Sequence, residues 1–251
     1  MYITKAINTA KTLRPDEYTV EEYIAWCNEL SCDLYLNHQK EFEKIKVHNN
    51  NEITLPENVD IYMIEKIIAD GKELKKTDLY DFSNMYLYQK RGRNIFKAPS
   101  SLSDIEIIYQ KPYIPIRTIN ETVTVKTTPD TFETEDIGIY EGDTLVFSSG
   151  DDRYEIHVIS NEGNVYNYSG DMLPDGISEY NIKRKILEKT ICPPPFDYMY
   201  VDFLIAKSAL YSGDSNTYKN HMAAFSLKQA EYANWVARRR GLREKKLINW
   251  F

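Results

Sequence analysis

The chain has only three cysteines in 251 residues, and they form no pattern. Cys27 and Cys32 stand five apart on a predicted helix, on different faces, Cys192 is isolated, and no Cys-x-x-Cys occurs. That spacing speaks against a zinc site or a disulfide and reads as buried free thiols. Long apolar runs are missing as well. No stretch approaches the ~18 apolar residues of a membrane span, and residues 1–14 lack the apolar core of a signal peptide. The expectation is a soluble protein made in the cytoplasm, with no membrane partner.

Catalytic motifs are equally scarce. No P-loop, strand-to-helix G-x-G-x-x-G unit, H-E-x-x-H or G-x-S-x-G is present. The histidines His38, His48, His157 and His221 fall in four different predicted elements. None has a second histidine, cysteine or carboxylate at metal-ligand spacing on one face, so no metal and no cofactor is expected. Asp151-Asp152 stands in a glycine-flanked turn, where aspartate serves the backbone rather than a reaction. A non-enzymatic protein is therefore expected.

What is abundant is tyrosine, 20 residues against 9 Phe and 3 Trp. An apolar ring with a polar tip suits half-buried surfaces and subunit interfaces. A net charge of −7 argues against tight wrapping of nucleic acid, which needs clustered Lys and Arg. An acidic wall is compatible with a channel along which DNA slides without sticking. Two basic clusters exist, Lys90-Arg91-Gly92-Arg93 and Arg238-Arg239-Arg240. They suit contact with phosphate or an acidic partner, and the second equally suits the carbonyl-rich end of a helix.

Along the chain, Thr19-Val20-Glu21-Glu22 reads as a capping box. Tyr23, Cys27, Leu30 and Leu34 then mark one face of a helix reaching about Ile45. Asn49-Asn50-Asn51 ends it, and Ile53-Thr54-Leu55-Pro56 is a short extended piece. Asp70-Gly71, between residues 64–69 and 72–75, predicts a type I′ hairpin, with a helix over 61–69 as the alternative. Residues 83–90 carry Met85, Tyr86 and Tyr88 into the first basic cluster. Strands are predicted at 105–109, 114–125, 144–147, 153–159 and 165–168, with turns at Gly150-Asp151-Asp152 and Glu162-Gly163-Asn164. Between Asp130 and Asp143 lie six acidic residues and no basic one, which predicts an acidic edge or a solvated loop.

Cys192-Pro193-Pro194-Pro195 precedes a helix over residues 198–211, and Ser212-Gly213-Asp214-Ser215 stops it and caps the next. Tyr218, Met222, Phe225, Gln229, Tyr232 and Val236 define one face of that second helix. The short turn predicts antiparallel neighbours, packed through Tyr198, Val201, Leu204, Tyr218, Met222, Phe225 and Tyr232. Beyond Gly241 the chain closes on Leu247-Ile248-Asn249-Trp250-Phe251. Such side chains gain roughly 1.5–3 kcal/mol each from burial, so this tail either folds back or, as favoured here, docks in another subunit.

Phe196-Asp197-Tyr198-Met199-Tyr200-Val201-Asp202-Phe203-Leu204-Ile205-Ala206-Lys207, then Leu210-Tyr211, Gly213-Asp214, Tyr218, Asn220 and Phe225, resemble the end of the head–tail connector (adaptor) proteins of tailed bacteriophages. Residues 18–43, and 64–74 with Asp70-Gly71, resemble that family too, so the likeness covers about 150 residues of the chain. The resemblance implies an α+β chain that is mainly an α-helical bundle of four to five helices, from residues 1–120 and 177–251. A small β-rich module, residues 121–176, is inserted and departs from the family pattern. It also implies a structural role in the virion: a homo-oligomeric ring, usually a dodecamer, beneath the portal in the capsid–tail neck. Implied partners are the portal protein, neighbouring copies, a downstream neck or tail protein, and DNA passing through the lumen without sequence-specific binding. Docking would fall to Leu247, Ile248, Trp250 and Phe251, with Arg238, Arg239 and Arg240 beside them. Another neck, tail or baseplate protein is the alternative, and a phage hydrolase has no nucleophile–base pair to support it.

Overall fold

The computed structural model describes residues 1–48, 52–55, 63–76, 87–90, 95–98 and 104–248. The chain forms two compact units, Met1–Ser31 with Pro115–Phe251, and Cys32–Ile114. The mainly helical bundle expected from the sequence is not what forms. Among the described residues strands equal helices in weight, because both units are built on β-sheet.

In the Cys32–Ile114 unit, strands β1 (Phe42–His48), β8 (Asp104–Gln110), β3 (Ile64–Ala69) and β4 (Lys72–Glu73) make one antiparallel sheet in that order. Strands β2 (Glu52–Thr54), β7 (Ile95–Lys97), β6 (Leu87–Lys90) and β5 (Lys75–Lys76) make another. Ile53, Leu55, Ile67, Leu74, Ile105 and Ile107 are buried together in its core. The predicted hairpin forms: Ala69 pairs with Lys72 around Asp70 (φ 51°) and Gly71 (φ 73°), the two positive angles of a type I′ turn. The helix expected to reach Ile45 ends at His38, and residues 42–48 pair instead with residues 104–110. Residues 49–51, 83–86 and 91–94, which include the first basic cluster beyond Lys90, lie outside the described residues.

The other unit holds helices and a barrel. Helix α1, Ile3–Leu13, unforeseen in the sequence reading, buries Ile3, Ala6, Ile7 and Ala10 and packs against helix α3, Met199–Tyr211. Helix α2, Val20–His38, begins with the capping box: the Glu22 amide donates to Thr19 Oγ1 (3.2 Å) and the Thr19 amide to Glu22 Oε2 (2.7 Å). Asn28 on α2 holds the chain at Ile116 through two hydrogen bonds, of 2.9 and 2.7 Å. Residues 114–119, expected to be strand, are irregular.

Six strands then close a barrel: β9 (Asn120–Thr127), β10 (Thr131–Glu133), β11 (Thr144–Ser149), β12 (Asp152–Glu162), β13 (Val165–Gly170) and β14 (Gly176–Arg184). Its order is β10-β13-β12-β11-β14-β9, and β9 pairs with both β14 and β10, which leaves no edge. Inward positions alternate along β9 (Val123, Val125), β11 (Leu145, Phe147) and β14 (Tyr180, Ile182). Stacked and edge-on rings of Phe132, Phe147, Tyr166 and Tyr180 fill the lumen. The barrel therefore extends past residue 176 to Arg184.

The chain enters and leaves the barrel at one end, where Asn120 pairs with Lys183. A buried carboxylate, Asp143, 3% exposed, pins that end. It receives Arg117 Nη2 at 3.1 and 3.2 Å, Arg184 Nε at 2.7 Å and the Tyr140 amide at 2.9 Å. Arg184 also donates to the Arg117 carbonyl (3.0 Å) and to Glu188 (2.7 Å). Removing one partner of such a buried pair leaves the others charged and desolvated. Asp143→Ala is expected to destabilise the fold by about 3 kcal/mol or more, read as a shifted urea midpoint, with Asp143→Asn intermediate.

Candidate functional site

The helical hairpin and the long arm leaving it are the part of the molecule that the sequence singles out. Helix α3 is apolar around its circumference, and Val201, Leu204, Ile205 and Ala209 are buried. It stops as predicted. The Gly213 amide donates to the Leu210 carbonyl (3.2 Å) and the Asp214 amide to the Ala209 carbonyl (2.9 Å), with Gly213 at φ 78°. Asp214 then caps the next helix, accepting the Thr217 amide at 3.1 Å, and hydrogen bonds from the Thr217 side chain and then its backbone hold the carboxyl below the usual range.

Helix α4 runs from Ser215 to Ile248, 34 residues, and passes straight through Gly241. At ~1.5 Å per residue it is roughly 50 Å long, against roughly 20 Å for the 13 residues of α3. Only its first half has α3 to pack on. Phe225 meets Phe203, and Tyr232 and Trp235 meet Phe196. Of the packing residues named from sequence, Val201, Leu204, Phe225 and Tyr232 are buried, Tyr218 and Met222 are half-buried, and Tyr198 is 42% exposed.

The seam holds a residue that the sequence reading passed over. Asp202 is 5% exposed inside the apolar run of α3. One oxygen lies 3.1 Å from His221 Nδ1 and the other accepts from Lys228 Nζ, which also sits 4.7 Å from the centre of the Tyr198 ring. His221 and Lys228 are seven apart on α4, two turns on one face. The signal was legible: a lone carboxylate in an apolar helix needs a cation opposite it. One carboxylate on α3 thus meets two side chains of α4, an arrangement that serves as a clasp between the helices.

A second polar tie lies alongside. The Tyr200 hydroxyl meets Ser31 Oγ at 2.7 Å, and burial raises its pKa. Burial likewise pushes the Cys27 and Cys192 thiols up to about 12, while Cys32 is half-buried. No three His, Cys, Asp or Glu side chains converge as metal ligands among the described residues.

The docking residues named from sequence fall on the arm. Arg238 and Arg239 are exposed, and Arg239 lies 4.1 Å from the centre of the Trp235 ring. Arg240, Leu247 and Ile248 belong to α4, and Trp250 and Phe251 lie outside the described residues. Because α4 continues to Ile248, the three arginine positions stand well before its end. No helix among the described residues is long and apolar enough to cross a membrane. No protein-family model and no curated protein matches the chain.

Asp202→Ala is expected to cost about 2 kcal/mol, reduced from a fully buried pair because His221 and Lys228 are each about a third exposed. Combining it with Lys228→Met recovers part of that loss in a denaturant titration. The thiols give a pH test. Their folded pKa is raised, so their contribution is complete below the ordinary value of 9.0 and is lost as pH rises through about 12. The melting temperature should fall across that window, and fall less in a Cys27→Ala, Cys192→Ala variant.

Proposed function

We propose that this chain is a structural subunit of a tailed-phage neck, a head–tail connector whose copies form a ring beneath the portal and extend the DNA channel toward the tail. The observation that carries the reading is the α3–α4 hairpin. Its Tyr-rich first helix, Gly213-Asp214 turn and second helix occur in the order that carries the resemblance. Its second helix then outruns its partner by roughly 30 Å toward a Leu-Ile-Asn-Trp-Phe ending. An arm of that kind is wasted on a monomer and suits docking in another ring, where apolar side chains leave water. The proposed role is non-catalytic. The net charge of −7 supports a lumen that passes DNA without holding it.

A second reading is favoured by the closed barrel, which a minimal connector lacks. In it the chain is another neck, tail or baseplate protein, and the barrel is its main binding unit.

The test is capture by the purified cognate portal, followed by negative-stain imaging. Full-length chain should decorate the portal as a ring. Truncation after Lys246, which removes Leu247, Ile248, Trp250 and Phe251, should abolish capture and leave the circular dichroism and melting temperature unchanged. Capture by the truncated chain refutes the docking role, and no capture by the full chain refutes the connector reading. Loss of capture on excising residues 120–184, with the tail intact, favours the second reading.

A further inference from the structure

The two ends of the barrel differ. One is occupied by the chain junctions and the Asp143 cluster. The other is made of three connections: residues 128–130 between β9 and β10, 150–151 between β11 and β12, and 171–175 between β13 and β14. Strand β9, eight residues long, separates the two ends by roughly 25 Å.

This far end has a consistent chemistry. It carries Asp130, Asp151, Asp152, Asp171 and Asp175, all exposed, with Lys126 and Arg153 as the nearby cations. The Asp171 carboxylate is engaged by the Glu155 amide at 2.7 Å, whereas Asp130, Asp151 and Asp175 have no cationic partner among the described residues. Beside them Met172 is 74% and Ile177 71% exposed. Ile177 pairs with Lys126, which pairs with Glu133, so these three side chains share the outer face of adjacent strands. An acidic rim around exposed apolar side chains is a surface made to be covered.

The arm of α4 carries the complement. From Arg238 to Lys246 the sequence has Arg238, Arg239, Arg240, Arg243, Lys245 and Lys246 against the single Glu244, with Leu242 among them, in a chain whose net charge is −7. Neither Arg238 nor Arg239 has a carboxylate partner among the described residues, and α4 there has outrun α3.

We infer that the basic stretch of α4 in one copy docks on the acidic, Met172- and Ile177-bearing end of the barrel in a second copy. Arm and barrel end are different surfaces, so the contact is head-to-tail: every copy gives one arm and receives another. Repetition of such a contact closes a ring or grows a filament. The inference rests on the ring of copies in the proposed function and turns Arg238, Arg239 and Arg240 from the portal toward a neighbouring copy, so the portal contact is tested separately, through the residues after Lys246.

The test uses the full-length chain and analytical ultracentrifugation. The native protein should self-associate, and the association should weaken by about tenfold or more between about 50 mM and about 500 mM NaCl. Two variants separate the surfaces: R238E/R239E/R240E reverses the arm, and D130K/D151K/D175K reverses the barrel end. Each alone should be monomeric with unchanged circular dichroism. Mixed one to one they should associate again, because the native arm of one meets the native barrel end of the other and the two reversed surfaces match as well. The chain carrying all six changes should associate again. A native chain monomeric at every concentration and salt overturns the proposal, and so does association retained by either variant. A mixture of folded variants that stays monomeric overturns it too. Tight duplex DNA binding that the arm reversal abolishes, with self-association intact, assigns the arm to nucleic acid instead. Portal capture, read separately with the chain truncated after Lys246, decides the connector reading whichever way this test falls.

Discussion

Asp143 holds together the two places where the chain crosses between helices and barrel. Arg117 comes in before β9 and Arg184 closes β14, and one buried carboxylate receives both. Burying Asp143 and most of Arg184 is costly, and the cost is offset because the cluster is well bonded: Asp143 accepts from two arginines and a backbone amide, and Arg184 reaches a carbonyl and Glu188. With both junctions fixed at one end, the far end is held mainly by Leu173, buried in the barrel core, and by the Tyr168 hydroxyl, which bonds the Pro129 carbonyl and the Leu173 amide. Its turns can be acidic and can carry Met172 and Ile177 in water, as they do.

The helical hairpin repeats this logic on a smaller scale. Asp202 is a charge in an apolar helix, satisfied from α4 by His221 and Lys228. It adds little net stability over an apolar residue of similar volume, but it fixes which turn of α4 lies against which turn of α3. That register, set with the turn at Gly213, determines how much of α4 overhangs. The length of the arm is thus a consequence of where His221 and Lys228 stand on a long helix.

Local signals were legible in the sequence where the chemistry itself is local. The Thr19–Glu22 capping box, the Asp70-Gly71 hairpin and the Gly213-Asp214 stop each depend on a few adjacent residues, and each forms. The strands at 144–149 and 165–170 alternate cleanly and were visible for the same reason. Residues 42–48 were misread because Phe42-Glu43-Lys44-Ile45-Lys46-Val47 follows a helix without a breaker, and its partner strand lies 62 residues on at Asp104–Gln110. Strand β14 hides its inward residues, Tyr180 and Ile182, behind Ser178, Glu179 and Asn181, which make sense only beside β9. Helix α1 was passed over because its buried face is half alanine. Arg238-Arg239-Arg240 equally suit a helix end, yet α4 runs on through Gly241, since glycine inside a helix costs only about 1 kcal/mol and need not stop it. Asp202 stands out as a carboxylate in an apolar helix, but its partners His221 and Lys228 lie on another helix, so spacing along one could not name them.

The adjacency of Asn120 and Lys183 has a consequence for the history of the molecule. Directly paired positions on neighbouring antiparallel strands have Cα atoms roughly 4.5–5.5 Å apart, scarcely more than one peptide step. A segment whose ends lie that close can be gained or lost without moving what flanks it, because the rest of the chain sees the same gap whether or not a barrel fills it. The barrel is therefore a cassette. Its far turns can diverge from one descendant to the next, while the helices that frame it keep a fixed geometry.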